Sequence, residues 1–334
     1  MSETKHVFNP DKFSGHSRIL SGENFEGPEV QESSKIPSCG IIIPVYNEGQ
    51  VIAETIERIK RVIHDITDWK FEIICVNDGS SDNTANVLSL VPDIQVLTHK
   101  VNRGYGAALR TGLNNCEHEW VFIVDADATY PIEDLAVLLE EVKKGADMVV
   151  GARQGIGITL SPFRRFARWV LRKMAYIVTG VMVPDLNSGM RVFRRRLYRE
   201  FKGLLPMGFS FTTTLTMAAL YMNYQTKYIP INYAQRAGHS NIRPVKDFFA
   251  FIMLIVRIAS YFEPLRFFLP LAFLFMALGF LKALRDFLLL GAIGGLAVTI
   301  FLVGVEVFVA GILADVIVRR SMSSNEGAGD RYGR

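Results

Sequence analysis

The sequence predicts an α/β domain built on a mostly parallel sheet, followed by a membrane-associated C-terminal region. Three observations carry that reading. Short β-branched runs alternate with amphipathic stretches between residues 39 and 151, polar residues follow the runs at their carboxyl ends, and residues 248–318 are almost wholly apolar. Alternation of this kind is the pattern of a parallel sheet covered by helices. The mean hydropathy of +0.21 is high for a soluble chain, and the excess sits in the tail.

Taken in order, strands are expected at Gly40–Pro44, Phe71–Asn77, Ile94–Leu97, Trp120–Val124 and Met148–Val150. Helices are expected around Val51–His64, Asn83–Leu90, Ala107–Asn114 and Ile132–Lys143. In open α/β sheets ligands bind beyond the carboxyl ends of the strands. Tyr46, Asn47 and Glu48 follow the first run, Asp78 and Gly79 the second, and Asp125 and Asp127 the fourth.

Residues 1–37 are polar and aperiodic, the composition of a loosely ordered extension, and they lack the apolar stretch of a signal peptide. Residues 38–245 form the expected α/β domain, and residues 246–264 an interfacial amphipathic helix. Residues 265–318 are expected to form a transmembrane hairpin, with spans Phe267–Leu281 and Phe287–Val305 and a turn near Arg285 and Asp286. Gly291 and Gly295 have the spacing that lets helices approach. Arg257 and Arg266 before the hairpin, with Arg319 and Arg320 opening the polar tail 319–334, favour both ends on the cytoplasmic side. Lys282 and Arg285 at the far turn pull the other way.

The net charge of +4 is modest, but Arg164, Arg165, Arg168, Arg172 and Lys173 cluster, as do Arg191, Arg194, Arg195, Arg196 and Arg199. Such clusters suit anionic headgroups or phosphates, and no nucleic-acid motif accompanies them. Cys39, Cys75 and Cys116 have neither metal-site spacing nor the number for a disulfide framework, so buried free thiols are expected.

The strongest local signal is Asp125-Ala126-Asp127 at the end of an apolar strand. In an extended backbone positions i and i+2 project to one side, so the two carboxylates converge. They repel unless a cation or hydrogen bonds satisfy them, and a divalent ion bridging a diphosphate suits the pair. Alone, the pair reads better as a helix cap and a solvated acid. Two further strand-end segments, Pro44-Val45-Tyr46-Asn47-Glu48 and Val76-Asn77-Asp78-Gly79-Ser80-Ser81-Asp82-Asn83-Thr84, weigh against that bland reading.

In that order, the three segments resemble the inverting GT-A glycosyltransferases of family 2, and within them the polyprenyl-phosphate branch typified by dolichol-phosphate mannose synthase and its bacterial undecaprenyl-phosphate relatives. Asn102-Arg103-Gly104-Tyr105-Gly106, Val150-Gly151-Ala152-Arg153, Asp185-Leu186-Asn187-Ser188-Gly189 with Arg191, and Arg236-Ala237-Gly238-His239-Ser240 extend the likeness from about Cys39 to Arg243. The resemblance implies transfer of a hexose from a nucleotide-sugar to a polyprenyl or dolichyl phosphate, with inversion and with Mg²⁺ or Mn²⁺. It implies that Pro44, Tyr46, Glu48, Asp78, Asp125 and Ala126 bind the nucleotide-sugar, and that Asp125 and Asp127 hold the metal. It assigns Arg153 and Arg165 to the phosphates, Asp185 and Ser188 to the sugar and acceptor side, and Arg236 to a loop closing over the diphosphate. The hairpin resembles that of bacterial relatives, some of which are tetramers, so a homo-oligomer is a further implied partner.

Three departures stand out. Ala128-Thr129 replaces the usual Leu-Gln after the acidic pair, Trp169 stands where a Ser is expected, and Asn241 stands where a Lys is expected. They argue against taking GDP-mannose as the donor. A processive polysaccharide synthase needs more spans and a Gln-x-x-Arg-Trp motif, which Arg165-Phe166-Ala167-Arg168-Trp169 imitates only superficially. An oxidoreductase is disfavoured because Gly104-Tyr105-Gly106 follows the third strand and lacks a final glycine. A non-catalytic membrane scaffold is the reading from another class, and retention of both acidic residues beside Arg153 and Arg165 opposes it.

Overall fold

The computed structural model describes residues 36–154, 169–170, 172–173, 175–176, 178–208, 210–234, 261–262 and 264–329. Seven strands form one sheet: β1 (Ser38–Val45), β2 (Lys70–Asn77), β3 (Gln95–Thr98), β4 (Trp120–Ile123), β5 (Met148–Gln154), β6 (Arg191–Arg194) and β7 (Thr226–Asn232). Their order is β3-β2-β1-β4-β6-β5-β7, and only β6 runs antiparallel to its neighbours. The five expected strands are present with ends moved by a few residues. β6 and β7 were not expected, because each is short or broken in pattern: Pro230 interrupts β7, which tolerates it as an edge strand paired only with β5.

The helices are α1 (Ile52–His64), α2 (Thr84–Leu90), α3 (Tyr105–Asn115), α4 (Leu135–Lys143, after a 3₁₀ turn at Ile132–Asp134), α5 (Arg195–Phe201), α6 (Phe211–Tyr221), α7 (Pro264–Leu290) and α8 (Gly295–Gly329). Alternate residues of β1 sort to opposite faces, as the period of two demands. Ile41 and Ile43 pack with Ile52, Ile56 and Ile59 of α1 and Leu135 and Leu138 of α4. Ile42 packs on the other face with Leu109 and Leu113 of α3 and with Phe211 and Leu215 of α6. Both faces being covered explains why β1 reads as a continuous apolar run. The cysteines are free and buried, as expected.

α7 and α8 pack against each other, and the stretches Pro264–Leu290 and Gly295–Val318 are each long and apolar enough to cross a membrane. Leu274, Phe280, Leu281, Leu302 and Leu313 are exposed on them, which water would penalise and lipid would not. The turn lies later than expected. α7 continues through Lys282 and Asp286, which pair at 2.9 Å one helical turn apart and so neutralise each other, and Gly291 with φ +68° makes the break. The glycines that permit helix contact are also different ones. A side chain at Gly279 would strike the Phe301 backbone at 2.6 Å, and one at Gly304 the Met276 backbone at 2.7 Å, whereas nothing approaches Gly291 or Gly295. The expected interfacial helix 246–264 lies largely outside the described residues, as does the extension 1–37 up to residue 35.

Candidate active site

The antiparallel β6 decides the layout of the site. Its first residue, Arg191, pairs in register with Ile123 of β4 and Val150 of β5. The loop preceding it, residues 185–190, therefore arrives at the same sheet edge as the acidic ends of β1, β2 and β4. Its last residue, Arg194, lies at the opposite edge, paired with Trp120 and bonded to Glu119 and Asp147. The Arg194–Arg196 cluster is thus remote from the acidic strand ends.

At the end of β4, Asp125 is half-buried and its Oδ1 accepts a hydrogen bond from the Tyr105 hydroxyl at 2.9 Å. Gly189 packs directly on it: a Cβ there would lie 2.4 Å from Asp125 Oδ2. The Gly189 N–H donates to the Tyr130 hydroxyl at 2.7 Å, which holds the loop in that position. Asp127 Oδ1 accepts from the Thr129 N–H at 3.2 Å and the Thr129 hydroxyl at 2.6 Å. That side-chain turn encloses Ala128, whose φ of +56° is a left-handed conformation costing an L residue about 1 kcal/mol or more. Burial, and then the charge of Asp127, push the Asp125 carboxyl up to about 6. Two neighbouring carboxylates offer hard oxygen donors that fit a hard divalent cation completed by waters and phosphate oxygens. No cluster of three acidic, His or Cys ligands occurs among the described residues. Thr129, considered above as a substitute for Gln, is buried and commits its hydroxyl to Asp127.

Arg153 at the end of β5 and Asp185 in the loop before β6 form a two-pronged pair, Nε to Oδ2 at 2.7 Å and Nη2 to Oδ1 at 2.9 Å. Burial opposes the Asp185 anion, but the hydrogen bonds and charge of Arg153 overcome it and hold the carboxyl below its usual range. The Arg153 guanidinium also lies 5.4 Å from the centroid of the Tyr233 ring.

Asp78 is nearly fully buried and well supplied with donors. The backbone N–H groups of Arg103 and Gly104 reach its Oδ1 and Oδ2 at 2.9 and 2.8 Å, and His99 Nδ1 reaches Oδ1 at 2.6 Å. Since the carboxylate accepts, Nδ1 carries the proton, and Nε2 faces the Thr111 hydroxyl at 2.8 Å. Asp78 therefore anchors the loop leading into α3. The turn after β1 is laced to the one after β2. Asn47 N donates to Ser80 Oγ at 3.0 Å, Glu48 N to Thr84 Oγ1 at 3.0 Å, and Ser81 N to Asn47 Oδ1 at 2.8 Å.

Of the residues expected at the site, Tyr46, Glu48, Asp125, Asp127, Arg153 and Asp185 stand at the carboxyl edge, with Tyr46 exposed. Pro44 and Ala126 are buried; the Ala126 carbonyl accepts from Thr55 at 3.1 Å. Ser188 is expected from the resemblance on the sugar and acceptor side. It is fully buried, and its hydroxyl turns back to the Met190 N–H at 3.3 Å, so it shapes the loop. Arg165, Arg236 and Asn241 lie outside the described residues, and Trp169 is exposed. Tyr105, Tyr130 and Gly189 were assigned no role from the sequence. Tyr105, Gly189 and Arg191 do lie inside matched segments, and that was the signal available.

Comparison with known proteins places the fold and the family. Residues 40–201 match the glycosyl transferase family 2 domain, and residues 263–319 match the GtrB C-terminal hairpin. A dolichyl-phosphate hexose transferase of Haloferax volcanii is 30% identical over 205 residues, covering 61% of this chain and 86% of the relative. An undecaprenyl-phosphate 4-deoxy-4-formamido-L-arabinose transferase of Yersinia enterocolitica is 32% identical over 173 residues, 50% of this chain and 52% of that one, so the chain spans about half of that relative. In structure, the glucosyl-3-phosphoglycerate synthase of Mycobacterium tuberculosis, solved with Mn²⁺, UDP-glucose and phosphoglyceric acid, superposes with a TM-score of 0.52 at 19% identity, over 67% of this chain and 79% of that chain. Mannosyl-3-phosphoglycerate synthase of Rubrobacter xylanophilus gives 0.53 at 18% identity, over 67% and 73%. The fold is GT-A, and the protein is a glycosyltransferase. The chain belongs to glycosyl transferase family 2.

Proposed function

We propose that this protein transfers a hexose from a UDP- or GDP-sugar to a polyprenyl or dolichyl phosphate, with inversion, at the cytoplasmic face of a membrane. The observation that carries the reading is one juxtaposition in one chain. A strained, half-buried acidic pair sits under a glycine loop at the carboxyl edge of a GT-A sheet, and the same chain continues into an apolar helical hairpin. Relatives named for transfer onto dolichyl and undecaprenyl phosphate support the acceptor class.

In this reading Asp125 and Asp127 hold Mg²⁺ or Mn²⁺, whose chemistry is to neutralise a departing diphosphate. Tyr105 and Gly189 fix the Asp125 carboxylate, and Thr129 fixes that of Asp127. A lipid monophosphate has a second pKa near 6, so it carries an ionised oxygen at neutral pH and needs no strong protein base. That oxygen forms the new bond to the anomeric carbon as the bond to the nucleoside diphosphate breaks. The protein's work is alignment and charge compensation, and Arg153, preset by Asp185, supplies a cation beside the acidic pair. The test is transfer from a panel of labelled UDP- and GDP-sugars to polyprenyl phosphate with Mg²⁺ or Mn²⁺. Lipid-linked product from one donor is expected; folded protein that transfers from none refutes the reading.

A further inference from the structure

Among the described residues, Arg191 has the largest of the fully buried side chains, with 0% of its surface exposed. Its Nε and Nη2 both donate to the Ser188 carbonyl, and Nη1 donates to the Thr212 carbonyl at 3.0 Å and the Thr216 hydroxyl at 2.8 Å. Every one of these acceptors is neutral. Among the described residues no carboxylate forms an ion pair with it, in contrast to Arg153. A buried guanidinium without a counter-charge costs several kcal/mol, so chance does not keep one there. Its surroundings explain where the charge acts. As the first residue of β6, Arg191 stands beside the β4 end that carries Asp125, and its charge reaches Asp125 and Asp185 through space. The Tyr228 hydroxyl, one of the groups it acts on, is itself buried without a hydrogen-bond partner among the described residues.

We propose that Arg191 is an electrostatic positioning residue of the donor site, a fixed buried cation that ties the 185–189 loop to α6 and favours the diphosphate of the bound nucleotide. The proposal rests on the nucleotide-sugar reading above. Arg153 is paired with Asp185, whereas Arg191 is a fully buried cation at this edge that forms no ion pair among the described residues. Such fixed charges work without reorganisation when the substrate arrives. The hydrogen bonds also make it mechanical: the Ser188 carbonyl they grip belongs to the loop that carries Gly189 onto Asp125.

The two roles separate in a binding experiment on the full chain in lipid nanodiscs, comparing UDP and GDP with uridine and guanosine in the presence of Mg²⁺. Arg191→Met, which keeps length and apolar packing, is expected to weaken nucleoside diphosphate binding about tenfold to a hundredfold, while nucleoside binding changes by less than about threefold. Arg191→Lys restores most of the diphosphate affinity. Equal loss of nucleoside and diphosphate binding in a folded Met variant overturns the electrostatic role, as does unchanged diphosphate binding. Should the Met variant not fold, Arg191→Lys and Thr216→Val carry the test. Each keeps the charge and loses part of the tether, so the preference for diphosphate over nucleoside must survive, and its loss overturns the proposal. Folded wild-type protein that binds neither nucleotide overturns the donor reading itself, which is a distinct result.

Discussion

Asp78 and Asp125 both end parallel strands at the same sheet edge, yet their surroundings are opposite. Asp78 is met by two backbone N–H groups and a histidine, and so behaves as a structural anchor. Asp125 is met by one tyrosine hydroxyl, faces a second carboxylate, and resists ionisation. The contrast teaches that position at a strand end does not define a functional acid. What distinguishes the two is whether the fold has already satisfied the charge. A carboxylate met by three donors stiffens the loop it holds, while Asp125, held by the Tyr105 hydroxyl beside a second carboxylate, is disfavoured as an anion until a cation offsets that charge.

The contrast can be broken from either end. Replacing Asp127 with Ala should abolish measurable transfer, a loss of at least about a thousandfold, while the thermal unfolding midpoint of the metal-free protein holds or rises because a like-charge repulsion is relieved. A falling midpoint would assign Asp127 to the scaffold. Gly189→Ala puts a methyl where Asp125 Oδ2 lies, so transfer should fall about a hundredfold while overpacking costs only about 1–3 kcal/mol. Near-normal kinetics would show that the Asp125 position is not critical. Asp78→Asn, by contrast, should act on stability, lowering it by about 2–4 kcal/mol as buried donors lose their charged acceptor. If the midpoint is unmoved but donor KM rises steeply, Asp78 belongs with the substrate and not the scaffold.

The smallest effect concerns Asp185. Its carboxyl is held below the usual range in the folded protein, so its stabilising contribution is complete above the unfolded value near 4. That contribution is lost as pH falls through the depressed folded value. Unfolding midpoints measured from pH 6 down to pH 3 should therefore drop more steeply for wild type than for Asp185→Asn. Parallel curves would remove the Arg153–Asp185 pair from the stability account.

Much of this was legible in the residues themselves. The strands from β1 to β5, the helices between them and the acidic strand ends follow from periodicity and turn chemistry, which are local properties. The hairpin was legible as apolar length, but its turn was misplaced, since Lys282 and Asp286 read as a polar break until helical spacing pairs them. β6 was missed for a related reason. Four residues containing two arginines do not look like a buried strand, and only the register with Ile123 and Val150 makes Arg191 an interior residue.

By itself, then, the sequence determined the α/β domain, the apolar hairpin and the acidic pair, because each is encoded within a short window by period, length and residue type. Only the tertiary structure decided how the strand-end acids are hydrogen-bonded, that Ser188 is buried, and that an arginine without an ion pair among the described residues is buried beside the β4 end. Those outcomes depend on an antiparallel strand inserted between β4 and β5, which brings residues 185–191 to the end of a strand more than sixty positions earlier. Burial, charge compensation and close packing are properties of that encounter, and no single segment contains them.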